Sequence, residues 1–184
     1  TYNNFETKPN YHYMFPIGLG YISAILKKEG FDYDCFNLNH EEGTIEEMIK
    51  RRLEEKKYDI VCTGEMALGY AVIDKIIKSV RRYEPKAKII IGGAIITSEP
   101  VLMAQNLNFD FGVIGEGEVT IVELLNCIKE GRNPKDVNGL CWKDEKEEIV
   151  FTKKREAIKD LDALPFPDYE SLEYMKYLYN MSET

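Results

Sequence analysis

The chain has 184 residues, 44% of them hydrophobic, which is enough for one domain with a well-formed core plus an appendage. Its net charge is −8, with 32 acidic and 24 basic side chains, which argues against binding to nucleic acid or to an anionic membrane surface. No apolar run approaches the roughly 20 residues of a membrane-spanning helix, and the N-terminus has no signal-peptide pattern. The composition therefore predicts a cytoplasmic protein.

From residue 16 to residue 129 the pattern alternates between helix and strand. We predict helices over residues 16–30, 46–57, 70–83, 100–107 and 118–129. Short apolar runs between them predict strands at 31–38, 59–64, 88–91 and 110–114. The run 88–91, a lysine followed by three isoleucines, is the clearest buried strand of the four. This alternation predicts an α/β fold, a Rossmann-like (flavodoxin-like) parallel sheet flanked by helices.

The character of the sequence changes after Gly131. Residues 139–143 and 148–151 flank a charged turn and predict a C-terminal β-hairpin. Pro165 and Pro167 force extended backbone, which is typical of a linker or strap. The tyrosine-rich residues 169–179 after them predict a terminal helix. We therefore divide the chain into an α/β domain, 1–133, and a second part, 134–184, that holds the hairpin, the proline-rich linker and a tail.

The predicted sheet has no first strand within this chain. A doubly wound sheet needs a strand before its first helix, whereas residues 1–15 are polar and aromatic with no strand pattern. Without that strand, two edges inside the sheet would be left unpaired, which is costly. We therefore expect the first strand to be missing from the chain and to be supplied from upstream.

Two glycine turns follow predicted strands, Gly92-Gly93-Ala94 and Gly115-Glu116-Gly117-Glu118. Glycine allows a tight turn and a close approach of the backbone to a ligand. The helix that follows supplies unpaired N–H groups and the positive end of its dipole. At the edge of an open α/β sheet these features predict a bound cofactor, or the remains of a cofactor site. We interpret Glu116 and Glu118 as carboxylates that complement the dipole, with paired acid–base groups as the alternative.

The four cysteines are Cys35, Cys62, Cys127 and Cys141. No two of them are close enough in sequence to give the spacing of a zinc or iron–sulfur site. We expect them to be small buried side chains of a protein in a reducing compartment.

Six short motifs follow one another in a specific order. They are Pro16-Ile17-Gly18-Leu19-Gly20-Tyr21-Ile22, Thr63-Gly64, Gly92-Gly93-Ala94, Gly115-Glu116-Gly117-Glu118, Asn138-Gly139-Leu140 and Leu161-Asp162-Ala163-Leu164-Pro165-Phe166-Pro167. This ordered set resembles the N-terminal cobalamin-binding domain of the cobalamin-dependent radical SAM enzymes. The resemblance extends from about Pro16 to Asp168. Each motif alone is weak, since a glycine pair after a strand is common, and the order makes the set specific.

The resemblance implies a Rossmann-like domain whose Pro-Phe-Pro strap leads into a radical SAM barrel. In that family the barrel carries a CxxxCxxC motif for a [4Fe–4S] cluster and uses S-adenosylmethionine. This chain contains no such motif, so the cluster and S-adenosylmethionine are expected only in a missing catalytic domain of the same polypeptide. The chain alone is then not catalytic, and it positions cobalamin for methyl transfer or a related radical reaction.

By the same resemblance, cobalamin contacts several loops along one edge of the sheet. The loop at 13–18 is expected under the corrin ring, and Thr63 is expected to donate its hydroxyl group to the nucleotide tail. The expected contacts, from the corrin loop to the far side of the tail slot, are Phe15, Pro16, Gly18, Thr63, Gly64, Glu65, Gly92, Gly93, Ala94, Gly115, Glu116 and Gly117.

Neither histidine matches the cobalt ligand of the cobalamin mutases and methionine synthase, which lies in a DxHxxG motif. The most similar sequence surrounds His40, but it follows the second strand of the predicted fold, whereas the motif would follow the first. We therefore interpret His40 as a solvated or capping residue. His12 is the better-placed alternative, before the first helix. The resemblance implies cobalamin bound with its lower base displaced and with no histidine on the metal.

Two other functions stay open at this point. One is a cofactor-free docking domain of the same fold, which predicts bulky side chains in the tail slot. The other is a different α/β binder, of a flavin or a nucleotide, although the sequence before Pro16 is poor in the Ser and Thr that phosphate binding favours. The tyrosines of the tail are interpreted as a surface for the missing barrel. They are Tyr169, Tyr174, Tyr177 and Tyr179.

Overall fold

The computed structural model describes residues 14–66 and 69–181 and contains an open five-stranded sheet in the order β1-β2-β3-β4-β5. The strands are β1 (Ile60–Gly64), β2 (Lys88–Gly92), β3 (Phe111–Val113), β4 (Leu140–Lys143) and β5 (Ile149–Phe151). The first three are parallel, and β4 and β5 are antiparallel. The predicted Rossmann-like α/β fold is confirmed.

Helices cover both faces of this sheet. They are α1 (Ile17–Lys28), α2 (Ile45–Glu55), α3 (Tyr70–Tyr83), α4 (Ala94–Ser98), α5 (Pro100–Asn106), α6 (Glu118–Lys129) and α7 (Tyr174–Met181). Short 3₁₀ turns at Leu38–His40, Pro134–Asp136 and Leu161–Ala163 connect them. In the parts of the chain that the structure describes, no helix combines the length and the apolar character needed to cross a bilayer.

The sheet divides the core into two layers, and the strand β2 contributes side chains to both. Ile89 and Ile91 pack with the helices α2 to α5 on one face, and Ile90 packs with α1 and α6 on the other. All three side chains are buried. Successive side chains of a strand point to opposite faces, so a strand covered on both sides must be apolar throughout. This is why the isoleucine run could be identified from the sequence.

The predicted strand at 31–38 is wrong. Residues 31–37 lie outside the sheet, and a 3₁₀ turn follows at Leu38–His40. Their side chains still alternate between the layers, since Phe31 and Tyr33 pack with the α1/α6 layer and Phe36 with the other. The alternation is local, but a strand also needs a neighbour to complete its hydrogen bonds. Among the described residues, β1 is an edge strand paired only with β2.

The predicted hairpin is confirmed, and it continues the same sheet because β4 pairs with β3. The tail contains a helix, but α7 begins five residues later than the predicted start at residue 169. Helix α4 was not predicted, because its five residues give too short a pattern.

Candidate functional site

The parallel strands end in a row of turns that brings most of the predicted site residues together. Gly64 and Gly92 are partners in the ladder at the ends of β1 and β2. A Cβ atom on Gly64 would lie 2.8 Å from the carbonyl oxygen of Gly92, so no larger residue fits between the two strand ends. The loop after β1 then crosses the turn after β2, where the backbone N–H of Ile95 donates to the carbonyl of Glu65 at 2.9 Å.

Gly93 makes that crossing possible. Its φ of +81° is in the left-handed region that favours glycine. A Cβ atom there would lie 3.0 Å from the carbonyl oxygen of Glu65. The predicted residues Gly64, Glu65 and Gly93 therefore form one compact corner, and their glycines are explained by the packing of backbone on backbone.

Three other predicted glycines face open space. A Cβ atom on Gly18, on Gly92 or on Gly115 would have no heavy atom of the described residues within 4 Å. Gly92 and Gly115 lie at the ends of neighbouring strands, so the space above the sheet at this edge is not filled by side chains of the parts that the structure describes. The absence of a side chain at these positions leaves room for a group from outside.

The loop after β3 is held by two hydrogen bonds that the sequence did not predict. The Gly115 N–H donates to the Thr97 hydroxyl at 3.0 Å, which ties this loop to α4. The Glu116 carboxylate accepts from the backbone N–H of Ile158 at 2.6 Å. Glu116 thus anchors the C-terminal linker beside the open edge, in addition to its place near the start of α6.

Glu118 is the first residue of α6 and has a different environment. One oxygen of its carboxylate is buried, and none of the described residues supplies it with a hydrogen bond. The helix dipole favours a carboxylate at this position.

The start of α1 reaches the same edge. Ile22 of α1 lies against Gly117 at the start of α6, with its Cδ1 3.1 Å from the place of a Cβ on that glycine. Ile17 begins α1 about 7.5 Å further along the helix axis. Phe15, in the loop before α1, packs on two tail residues: its ring centroid lies 5.6 Å from that of Tyr169 and 4.9 Å from that of Tyr174.

The remaining predicted residues lie nearby with less distinctive surroundings. Thr63 pairs with Ile91 and is half-buried, Ala94 is exposed at the first position of α4, and Pro16 precedes α1. His12 and Tyr13 lie outside the described residues. The roles assigned to all these residues stay predictions.

The interpretation of His40 as a solvated or capping residue is wrong. Its side chain is fully buried, and Nδ1 lies 3.0 Å from Oε2 of Glu173, 133 residues away. Burial lowers the pKa of the imidazole, although the hydrogen bond and the charge of Glu173 act in the opposite direction. His40 is therefore part of the contact between the 3₁₀ turn and the tail.

The cysteines divide into two groups. Cys127 and Cys141 are buried, as predicted, and burial raises the pKa of the Cys141 thiol to about 11. Cys35 is half-buried, and Cys62 is exposed on the edge strand β1, so the prediction is wrong for Cys62. No group of three or more His, Cys, Asp or Glu side chains within residues 14–66 and 69–181 is arranged to hold a metal ion.

The sequence did not predict a cluster around Asp168, the residue that follows the Pro-Phe-Pro motif. Its carboxylate is buried and accepts hydrogen bonds from the hydroxyl groups of Ser23 and Tyr33, each at 2.9 Å, and of Ser171 at 2.7 Å. Burial raises the pKa of Asp168, but the hydrogen bonds from these groups outweigh it and hold the pKa well below its ordinary range. The only sign of this cluster in the sequence was a polar residue, Ser23, on the apolar face of α1.

With this geometry described, comparison with known proteins identifies the family. The B12 binding domain family matches residues 10–125 of the chain. An uncharacterized methyltransferase of Pyrococcus horikoshii, PH0819, is 29% identical over 165 residues, which is 88% of this chain and 35% of that protein. The cytidylyl-2-hydroxyethylphosphonate methyltransferase of Streptomyces wedmorensis is 22% identical over 89% of this chain and 38% of that protein. The chain thus spans little more than a third of these curated relatives.

Two solved structures have the same fold. The radical S-adenosylmethionine methyltransferase TsrM of Kitasatospora setae, with cobalamin and a [4Fe–4S] cluster bound, superposes with a TM-score of 0.70 at 21% identity, over 87% of this chain and 30% of that one. The cobalamin-dependent S-adenosylmethionine radical enzyme OxsB, with aqua-cobalamin and S-adenosylmethionine bound, gives a TM-score of 0.66 at 20% identity, over 90% and 23% of the two chains. The chain therefore belongs to the B12-binding domain family, and it shares the Rossmann-like fold of these two structures.

Proposed function

We propose that this domain holds cobalamin at the open edge formed by the ends of β1, β2 and β3 and by the start of α1. The observation that carries the proposal is the free space at Gly92 and Gly115, where no heavy atom of the described residues lies within 4 Å of a Cβ position. A cofactor-free docking domain predicted bulky side chains there instead. The open glycine edge favours the cofactor.

The residues of this edge fit the shape and chemistry of the cofactor. Cobalamin is a flat corrin with a nucleotide tail, so its site needs a broad surface and a slot without large side chains. Gly92 and Gly115 provide such a slot, and the loop with Phe15 and Pro16 is the proposed support of the ring. The Thr63 hydroxyl offers a polar partner for the hydroxyl and amide groups of the cofactor.

The cobalt is proposed to have no histidine ligand from His40. That side chain is buried against Glu173, and the imidazole is oriented by this contact. His12 stays a low-priority alternative. A domain without a histidine ligand would bind cobalamin with its lower base displaced, and its own residues would contribute position, orientation and exclusion of water.

We further propose that the domain works beside a radical SAM catalytic domain of the same cytoplasmic polypeptide, in a methyltransferase. The relatives support this: both quoted curated proteins are named methyltransferases and are longer than this chain. Cobalamin supplies the methyl-carrying chemistry when it is bound. The [4Fe–4S] cluster and S-adenosylmethionine belong, in this proposal, to the catalytic domain, and the chain 1–133 is the cofactor-binding unit to which 134–184 adds the connection.

A titration with hydroxocobalamin tests the cofactor proposal. The 184-residue chain is titrated and followed by visible absorbance and by co-elution in gel filtration. We expect saturable binding at one site, with the spectrum of cobalamin whose lower base is displaced. His40→Gln and His12→Ala variants should give the same spectrum as the parent chain.

The controls separate a failed fold from a failed proposal. Circular dichroism shows whether each sample is folded before the titration. A folded chain that leaves cobalamin unbound contradicts the proposed function and favours the docking domain. A changed spectrum in the His12 variant would show that this histidine is a cobalt ligand.

A further inference from the structure

The strap that follows the linker, defined here as residues 165–173, is fixed to α1 by an unusually dense set of contacts. The backbone N–H of Asp168 donates to the carbonyl of Gly20, the fourth residue of α1, at 2.9 Å. Pro167 lies directly over the same residue, since a Cβ on Gly20 would be 3.0 Å from the Cβ of Pro167. A glycine inside a helix costs roughly 1 kcal/mol relative to alanine, and here it lets the strap cross α1 in close contact.

The Asp168 carboxylate is the centre of this attachment. Oδ2 accepts from the hydroxyl groups of Ser23, Tyr33 and Ser171, and Oδ1 accepts from the backbone N–H of Ser171 at 3.0 Å. The ammonium group of Lys27 adds a longer ion pair at 3.9 Å. One carboxylate of the strap thereby joins α1, the segment at 31–37 and the turn at Ser171 within the strap. Hydrogen bonds to a charged group are stronger than those between neutral groups.

A second polar contact holds the other end of the strap. Glu173 has a φ of 54°, in the left-handed region that a residue with a side chain rarely adopts. Its carboxylate meets the buried His40 side chain. A strained backbone conformation persists when the surrounding contacts determine it, so the strap has one fixed position between Asp168 and Glu173.

Between these two contacts the strap presents an aromatic residue to the proposed corrin loop. Tyr169 stacks on Phe15, Tyr174 meets the same ring edge-on, and the two tyrosine rings lie 5.0 Å apart. Tyr169 is the residue next to Asp168, and Tyr174 is the residue next to Glu173. The position of Phe15 is thus linked, through two rings, to the polar anchors of the strap.

We propose that Asp168 is a positioning residue for cobalamin: by fixing the strap on α1 it holds Tyr169 and Tyr174 against Phe15, and so orders the loop that supports the corrin. This inference rests on the proposed function. Asp168 itself is buried between the strap and α1 and acts on the cofactor only through Phe15. It follows that docking of the C-terminal strap and binding of cobalamin favour each other, because both need the same arrangement of Phe15.

The test uses the 184-residue chain with Asp168→Ala and with the milder variants Ser23→Ala and Tyr33→Phe, each of which removes one of the hydroxyl groups that donate to Asp168. Asp162→Ala is the matched control, an exposed aspartate in the same linker. Amide hydrogen exchange, measured by mass spectrometry without cofactor, reports the attachment of residues 165–173 and of the loop at 14–18. Hydroxocobalamin affinity is measured on the same samples.

For Asp168→Ala we expect faster amide exchange in both segments and a roughly tenfold weaker affinity for hydroxocobalamin. The two milder variants should show smaller changes of the same kind. The control should show no change in exchange or in affinity. Unchanged exchange would overturn the anchoring role. Faster exchange with unchanged affinity would overturn the link to the cofactor. If Asp168→Ala does not fold, the Ser23 and Tyr33 variants decide the same questions.

A double variant distinguishes positioning from a general loss of stability. If Asp168 acts through Phe15, the affinity lost in Asp168→Ala should not be lost again in a Phe15→Leu background, whereas independent effects would add. Additive losses therefore contradict the proposal. Failure of the parent chain to bind hydroxocobalamin would remove the proposed function and the positioning role with it, while the exchange data would still show whether Asp168 anchors the strap.

Discussion

Two groups of glycines lie in or directly after the parallel strands of this domain and have opposite surroundings. In the first group, Gly112 and Gly64 are enclosed: a Cβ on Gly112 would lie 2.7 Å from Sγ of Cys141 and 2.7 Å from Cγ1 of Ile96. In the second, Gly92 and Gly115 face space that the described residues leave open. The first group is required by the protein's own packing. Gly92 has no such requirement in the described structure, whereas Gly115 has a φ of +79°, in the left-handed region that favours glycine.

This difference shows what a glycine in a strand-end motif can mean. Gly64 and Gly92 are partners in one ladder, yet only Gly64 is explained by contact with its neighbour. A sequence motif treats the two alike. The structure separates them, and it is the unexplained member of the pair that points to a ligand. The following predictions test this separation, from the largest expected effect to the smallest.

Gly92→Leu should abolish most cobalamin binding without harming the fold. Gly92 does not have a left-handed φ, so a larger residue brings no backbone strain, and its side chain enters the open space. We expect the affinity for hydroxocobalamin to fall by about 100-fold or more, which is ~2.7 kcal/mol, with urea unfolding changed by less than about 0.5 kcal/mol. Unaltered affinity in the folded variant would mean that this space is not the site.

The control for Gly92→Leu is a substitution at Gly131, which follows the C-terminus of α6 and lies away from the proposed site. Gly131 also has open surroundings among the described residues, but it follows the C-terminus of the helix with a φ of +64°. Gly131→Ala should cost about 1 kcal/mol of folding free energy, because of the left-handed conformation. Its affinity for hydroxocobalamin should equal that of the parent chain.

Gly112→Ala should show the opposite pattern to Gly92→Leu. The added methyl group has no room between Cys141 and Ile96, and overpacking of this kind costs about 2 kcal/mol. Urea unfolding should therefore shift to a lower midpoint with an unchanged slope. The fraction that remains folded should bind hydroxocobalamin normally, and a stability equal to that of the parent chain would contradict the tight packing at this strand.

Asp168→Asn should change how stability depends on pH. The folded-state pKa of Asp168 is depressed, so its contribution is fully present above its unfolded pKa and is lost as the pH falls below about 4. We expect the parent chain to exceed the variant by about 1–3 kcal/mol between pH 5 and 7, and the gap to narrow in acid. A gap independent of pH would show that the charge of Asp168 is not what holds the strap.

Glu116→Gln should have the smallest effect. The amide keeps one oxygen that can accept from the N–H of Ile158, and the site is exposed. We expect less than about 1 kcal/mol in unfolding and a modest increase in amide exchange around residue 158. A large loss of cobalamin affinity instead would assign Glu116 a direct contact with the cofactor.

The parts of the fold that the sequence predicted are those with a local cause. Two helices have the predicted bounds, Tyr70–Tyr83 and Glu118–Lys129. Their apolar spacing lies inside each helix, and the residues that signal their ends, Pro85 and Gly131, follow within two residues in the sequence. The glycine turns were found for the same reason. Which glycines are enclosed was not predictable, because Gly112 is enclosed by residues from two other elements.

The features that were predicted wrongly, or not at all, depend on contacts between residues far apart in the chain. Residues 31–37 alternate like a strand but have no ladder partner, which no local pattern reveals. His40 is buried by Glu173, 133 residues away, and Asp168 is bound by Ser23, 145 residues away. Such contacts depend on where the strap crosses α1, and only the assembled structure supplies that.

The central claim, that the open glycines face the cofactor, is tested most directly by NMR of the isotopically labelled chain. Amide shifts are followed during titration with hydroxocobalamin, and each glycine is its own probe. The account predicts large changes at Gly18, Gly92 and Gly115 and none at Gly131, which has open surroundings at the far end of α6. Changes that cluster at Gly131, or no changes in a folded chain that is saturated with cobalamin, would contradict it.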